Sequence, residues 1–383
     1  MNGLYIHVPF CVRKCLYCNF YSVTDLGMMA PYVEALVREM DLTAALQPTG
    51  LKSVDTLYFG GGTPSVLSFN HLGRIMDRIH HLYHVADHAE ITLEVNPGTL
   101  TPGALDDFKR LGINRLSLGV QSFHDTHLQM LGRIHSSDES RALIHAARKA
   151  GFNDLGLDLI YGLPGQSLEH WQDDLENALS FGPSHLSCYM LSFEPGTPLF
   201  KRMKKGTIVP LPDDKAAILF DETMAFLEKK GFIHYEISNF ASSPGTQSRH
   251  NRKYWNFEPY TGFGPSAHSY TPVEQKRSWN VPNLSDYIDR LKKGHLPVED
   301  SETLDKRQQM IEALFLGLRK MEGILISEFN RRFECDFSKM FSASLSYLSK
   351  NGLIVHDPAR VYLTRKGIVL ADRITSLFVD RVD

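Results

Sequence analysis

Short apolar runs alternate with stretches of helical periodicity through the first half of the chain, and nothing else in the sequence restricts the fold as tightly. Strands are expected near residues 3–8, 54–60, 90–95, 114–120, 154–160 and 185–192. Helices are expected between them, near 30–46, 69–82, 101–111, 138–150 and 167–180, where apolar residues recur at spacings of three and four. This is the pattern of repeated βα units building a parallel sheet. Six units fall short of the eight in a closed barrel, so the expected α/β architecture is a partial, open (β/α)6 barrel, with its chemistry at the carboxyl ends of the strands. With 383 residues, 43% of them apolar, the chain can fill such a barrel and smaller units after it.

The first strand runs into Cys11-Val12-Arg13-Lys14-Cys15-Leu16-Tyr17-Cys18, which holds three of the five cysteines. Three thiolates at this spacing, with no fourth nearby, suit three corners of a cubane iron–sulfur cluster and leave one iron open to a ligand. Simple packing of three small apolar side chains is a poor account of a loop that also carries Arg13 and Lys14. A structural zinc is the serious rival, since His7 would complete a Cys3His set. Haem attachment through Cys15 and Cys18 is excluded, because Asn19 follows where that motif requires His. No charged n-region leads into an apolar h-region, so a disulfide framework is not expected and a reducing, cytoplasmic setting is.

Composition narrows the partners. No apolar run approaches the ~18 residues of a membrane span. A formal charge of −3 gives no overall field to recruit nucleic acid. Among 17 histidines, His80, His84 and His88 are spaced by four, but read better as decoration of a helix end than as a metal site.

Other chemistry-bearing residues fall at the strand ends. The second strand runs into Gly60-Gly61-Gly62-Thr63-Pro64, where missing Cβ atoms permit either close approach of a ligand or a strained turn. Glu94, Gln121 and Asp158 lie at the ends of the next three strands, with Arg133 just beyond the fourth. The segment 201–300 reads as a linker, with a helix over 213–230, followed by the stretch Arg249-His250-Asn251-Arg252-Lys253-Tyr254-Trp255. A His beside large aromatics supplies a ligand nitrogen and flat walls for a macrocycle, and equally suits a core His bonded to backbone. From about 303, helices near 303–320, 326–333 and 338–350 lead to a hairpin around Asp357-Pro358, a winged-helix pattern without the basic stripe of a DNA reader.

The run Tyr5-Ile6-His7-Val8-Pro9-Phe10-Cys11 with the CxxxCxxC spacing and Tyr17 before the last cysteine resembles the cluster loop of the radical S-adenosylmethionine superfamily, which uses the same six-stranded barrel. Thr63, where many relatives carry Glu, and the His-Asn-x-x-Tyr-Trp pattern at His250 resemble HemW, a family of haem-binding proteins related to oxygen-independent coproporphyrinogen oxidase. Phe20 stands where that oxidase carries a further cysteine, and only ten residues precede Cys11 where the oxidase has a longer segment.

The resemblance implies a [4Fe-4S] cluster on Cys11, Cys15 and Cys18, with S-adenosylmethionine on the fourth iron. Tyr5, Tyr17, Gly61, Gly62, Thr63, Glu94, Gln121, Arg133 and Asp158 would line its pocket, and His250 would contact haem awaiting transfer to an acceptor apoprotein. It further implies a barrel over 1–200, a linker and haem-associated segment over 201–300, and a helical, winged-helix-like domain over 301–383. A homodimer would suit a cluster and haem held on exposed loops. Two alternatives stay open: a radical decarboxylase acting on coproporphyrinogen, and a zinc-stabilised binding module.

Overall fold

The computed structural model describes residues 1–46, 52–101 and 103–382. Pro102, in the helix expected over 101–111, and Asp383, at the end of the expected C-terminal domain, lie outside them. The barrel strands are β1 (Asn2–Val8), β2 (Lys52–Gly61), β3 (Tyr83–Val95), β4 (Arg115–Gln121), β5 (Asp154–Tyr161) and β6 (His185–Met190). They alternate with α1 (Met29–Ala45), α2 (Phe69–Leu82), α3 (Ala104–Arg110), α4 (Asp125–Leu131), α5 (Ser137–Lys149) and α6 (Leu168–Ser180). All six strands run parallel in sequence order, as right-handed βα crossovers require. Local chemistry sets the helix starts: Ser68 and Ser167 accept from the His71 and His170 amides, and Ser136 with Glu139 forms a reciprocal capping box.

The outward residues of β1, Leu4, Ile6 and Val8, are buried in one core with Val33 and Leu36 of α1. One expectation needs correction here. β3 begins at Tyr83, so His84 and His88 sit on a strand and not at a helix end.

The segment 201–300 contributes far more sheet than its composition suggests. After α7 (Pro198–Lys204) and α8 (Asp213–Lys229), β7 (Ile233–Glu236) and β8 (Asn239–Ala241) extend the β6 edge antiparallel. The chain then passes through α9 (Arg249–Trp255) to the opposite edge, where β9 (Tyr260–Phe263) pairs parallel with β1. β10 (His268–Thr271), β11 (Lys276–Asn280) and, after α10 (Leu284–Lys292), β12 (Val298–Thr303) complete a 12-stranded sheet in the order β12-β11-β10-β9-β1-β2-β3-β4-β5-β6-β8-β7.

Glu39 of α1 fastens this extension. Buried among Tyr32, Tyr287 and Asn280, it accepts from the Gly264 amide at 2.8 Å, from Asn280 Nδ2 at 2.6 Å and from the Tyr287 hydroxyl. Burial outweighs these donors and raises its carboxyl from 4.5 to about 7. An acid whose folded value is raised favours folding below its unfolded value, and loses that contribution as pH rises through the folded one. Glu39→Gln is therefore expected to flatten the fall of unfolding free energy between about pH 4.5 and about pH 7 by up to about 3 kcal/mol. Parallel urea-unfolding curves for the two proteins across that range would show that Glu39 folds ionised.

The remaining chain forms α11 (Lys306–Arg319), β13 (Ile324–Leu325), α12 (Ile326–Phe333), α13 (Phe337–Met340), α14 (Ser342–Lys350), β14 (Ile354–His356), β15 (Arg360–Leu363), α15 (Arg365–Ile368) and α16 (Ala371–Val379). Phe329, Phe333, Phe337, Phe341 and Phe378 interlock at its centre, and β13-β15-β14 forms the small sheet of a winged helix. No helix among the described residues is long and apolar enough to cross a membrane.

Candidate functional site

A cavity of about 490 Å³ opens at the carboxyl ends of the barrel strands. All three clustered cysteines line it, with Tyr17, Gly61, Gly62, Thr63, Glu94, Gln121, Arg133 and Asp158. Backbone pairing fixes the cysteine loop: the Cys11 amide donates to Val23 O at 2.9 Å, and the amides of Gly62 and Thr63 donate to Val8 O and Phe10 O at 2.8 and 2.7 Å. On the other flank Arg13 donates to the carbonyls of Gly132 and Arg133. The glycines serve this docking. A Cβ on Gly62 would lie 2.7 Å from Phe10 O, and one on Gly61, whose φ is +106°, would strike the His7 ring at 2.6 Å.

The three thiols are unpaired and half-buried. Thr63 Oγ1 donates to Cys11 Sγ at 3.5 Å and Arg133 Nη1 to Cys15 Sγ at 3.3 Å, so two of the sulfurs already have the donors that thiolate ligands use. Burial raises the Cys18 thiol, and its two sister cysteines raise it further. The zinc expectation fits less well. His7 Nε2 is bonded to Tyr21 O at 3.0 Å and Nδ1 to the Tyr5 hydroxyl at 3.3 Å, so neither ring nitrogen is free. Among the described residues, no three His, Cys, Asp or Glu side chains converge to hold one ion. A cubane makes no such demand, because each cysteine binds a separate iron.

Beyond the thiols the walls are polar and largely buried. Glu94 accepts from the Tyr58 hydroxyl at 2.8 Å and the Gly61 amide at 3.2 Å; burial and the nearby Asp158 raise it to about 7. Asp158, also raised by burial, accepts from Ser117 Oγ at 2.9 Å. Gln121 has φ +68°, a left-handed conformation that costs about 1 kcal/mol or more for a residue with a Cβ. Arg133 is 8% exposed; Nη2 donates to Gly119 O at 2.7 Å and to Asn96, while Nε has no partner. Tyr17 is half-buried beside this guanidinium, and desolvation holds its hydroxyl above the usual range.

Two expected residues lie elsewhere. Tyr5 points inward but does not line the cavity. His250 is 1% exposed and sits at the barrel base, where Nδ1 meets Thr56 Oγ1 at 2.9 Å and Nε2 meets the Tyr254 hydroxyl at 2.8 Å. Haem contact at His250, as the motif leads one to expect, would require the ring to exchange one of these two bonds for the ligand. From the same motif, it is Asn251 that reaches the cavity floor, beside Ser248. Thr92, Ser117, Ser187 and Tyr189 also line the cavity, although the sequence reading passed over them. Their signal was polar residues at alternate positions within otherwise apolar strands.

The radical SAM superfamily model matches residues 5–178 and the HemN C-terminal domain model residues 304–370. The heme chaperone HemW of Bacillus subtilis is 37% identical over 382 residues, covering 99% of both chains. The chain belongs to the HemW family. The heme chaperone HemW of Escherichia coli is 41% identical to this HemW-family chain over 270 residues, 70% of it and 69% of the relative. Among solved structures, the radical SAM enzyme coproporphyrinogen III oxidase (HemN) from Escherichia coli superposes with a TM-score of 0.85 at 25% identity, covering 98% of the HemW-family chain and 89% of its own.

Proposed function

We propose that the chain is a haem chaperone. It holds a [4Fe-4S] cluster on Cys11, Cys15 and Cys18, takes S-adenosylmethionine into the adjoining cavity, and carries haem for delivery to an acceptor apoprotein. One observation carries the reading: in a HemW-family chain, three unpaired thiols share a cavity with a guanidinium that has an unsatisfied N–H and with two half-buried carboxyls. The cluster, when bound, supplies an open iron for the amino and carboxylate groups of S-adenosylmethionine.

The protein's own groups supply the rest. Arg133 Nε is the free donor for a carboxylate, and its Nη1 stabilises negative charge on Cys15. Glu94, held near neutral pH, accepts from or donates to an amine or ribose hydroxyl. Asp158 and Gln121 offer further acceptors and donors on the adjacent strands. Tyr17 lines the same cavity as the thiols. A cytoplasmic setting and a homodimer belong to the same proposal.

Radical decarboxylation of coproporphyrinogen is the second reading, favoured by the superposition on the oxidase. Anaerobic reconstitution followed by haem titration, with a parallel decarboxylation assay, separates the two. Stoichiometric haem binding without decarboxylation is the expected result; turnover of coproporphyrinogen would replace the chaperone with the oxidase.

A further inference from the structure

One fully buried carboxyl plays no part in the site as described. Asp174, on α6, is 0% exposed and does not line the cavity. A carboxylate so far from water costs free energy that its partners must offset. Both of its donors come from the turn that follows β4: the Ser122 hydroxyl donates to it at 2.9 Å, and the Phe123 amide donates to Oδ1. Ser122 Oγ in turn accepts from the His124 amide at 3.1 Å, and the Ser122 amide donates to Val120 O at 2.9 Å. Ser122 is fully buried as well, so water is not at hand to replace these bonds.

The residue just before this knot is Gln121. β4 advances three residues from Leu118 to Gln121 while its partner β5 advances two, from Leu157 to Leu159, and at the end of that bulge Gln121 takes the left-handed φ of +68°. Its side chain lies over Gly119: a Cβ there would stand 3.0 Å from Gln121 Nε2 and 3.2 Å from Arg133 Nη2. The glutamine amide and the guanidinium therefore share the space beside a missing side chain, and both face the cavity. Nothing in glutamine itself favours that backbone, which persists only where the surroundings over-determine it.

We infer that Asp174 is a positioning residue: by anchoring Ser122 and Phe123 it holds the strained Gln121 backbone, and so aims the Gln121 amide, beside Arg133, at S-adenosylmethionine. The inference rests on the reading of Gln121 as a contact for S-adenosylmethionine, and adds to it what sets the pose of that contact. Asp174 works from outside the cavity, so its loss is felt only through the side chain it aims. A tie that merely fastened α6 to β4 would weaken folding and leave the affinity of the folded protein unchanged.

The test is a double-mutant cycle on the full chain with its cluster reconstituted, read as S-adenosylmethionine affinity by equilibrium dialysis. Gln121→Ala is expected to weaken binding about tenfold, and Asp174→Asn, which keeps the shape of the side chain and loses its charge, about fivefold, with iron and sulfide content as in the parent. Combined, the two are expected to weaken binding no more than Gln121→Ala alone, because Asp174 then has nothing to aim. Ser122→Ala supplies the same arm through a smaller change should Asp174→Asn fail to fold, with weaker binding alone and no further loss on Gln121→Ala. Parent affinity in the folded Asp174 or Ser122 variant, or losses that multiply in the double variant, would overturn the inference and leave Gln121 as a contact. Parent affinity in Gln121→Ala, or a parent chain that binds no S-adenosylmethionine, would overturn the contact and the inference together.

Discussion

Simultaneous replacement of Cys11, Cys15 and Cys18 by Ala is expected to reduce iron and acid-labile sulfide to background after anaerobic reconstitution, and to leave the apo fold within about 1 kcal/mol of the parent. The first effect is large because the other two cysteines have no route to replace them. Cys188 is buried in β6, and Cys335 lies in the C-terminal domain. The second is small because the three thiols are only half-buried, and the loop is held by backbone bonds to Val23, Gly62, Thr63 and Leu131 that Ala retains. Iron and sulfide analysis beside thermal melting of the apo forms measures both. Stoichiometric sulfide in the triple variant would place the cluster elsewhere, and zinc without sulfide in the parent would restore the zinc-stabilised module.

His250→Ala is the second large effect, and it falls on stability. Removal of a ring that is 1% exposed leaves Thr56 Oγ1 and the Tyr254 hydroxyl without partners and opens a void beside Tyr58, whose ring stacks at 5.2 Å. Two orphaned buried hydroxyls and an unfilled ring volume together cost about 3–4 kcal/mol. The same variant tests the proposed haem contact: weaker haem binding by the folded fraction is expected, with iron and sulfide content as in the parent. Denaturant unfolding and haem titration on the same preparation check this. Haem affinity unchanged from the parent in the folded fraction would remove His250 from the haem site.

The six barrel strands were legible because each carries enough apolar residues to show its period and each is bounded by a helix start. β7 to β12 were not. They are three to six residues long, and β12, Val-Glu-Asp-Ser-Glu-Thr, is a polar edge strand with no buried face to mark it. The cluster loop declared itself because its ligands are adjacent in sequence. The surroundings of His250 were hidden for the opposite reason. The groups that fix its role, Thr56 for the ring and Glu90 for the backbone amide, lie 194 and 160 residues away, and nothing local distinguishes a bonded core imidazole from an open one. Phe20 was read only as the place of an absent cysteine, and Met190 passed unremarked inside the strand expected over 185–192, since exposure is a property of the assembled barrel.

The pairing of β1 between β2 and β9 has a consequence in time. The strand that presents the cysteines is made long before its second neighbour: Gly3 through Ile6 pair with Tyr260 through Phe263, more than 250 residues later. During most of synthesis the nascent cysteine loop therefore hangs from an unfinished edge, reactive toward oxygen and stray metal. A cluster on these cysteines, as proposed, would then meet its finished setting only after β9 has been made and has paired with β1.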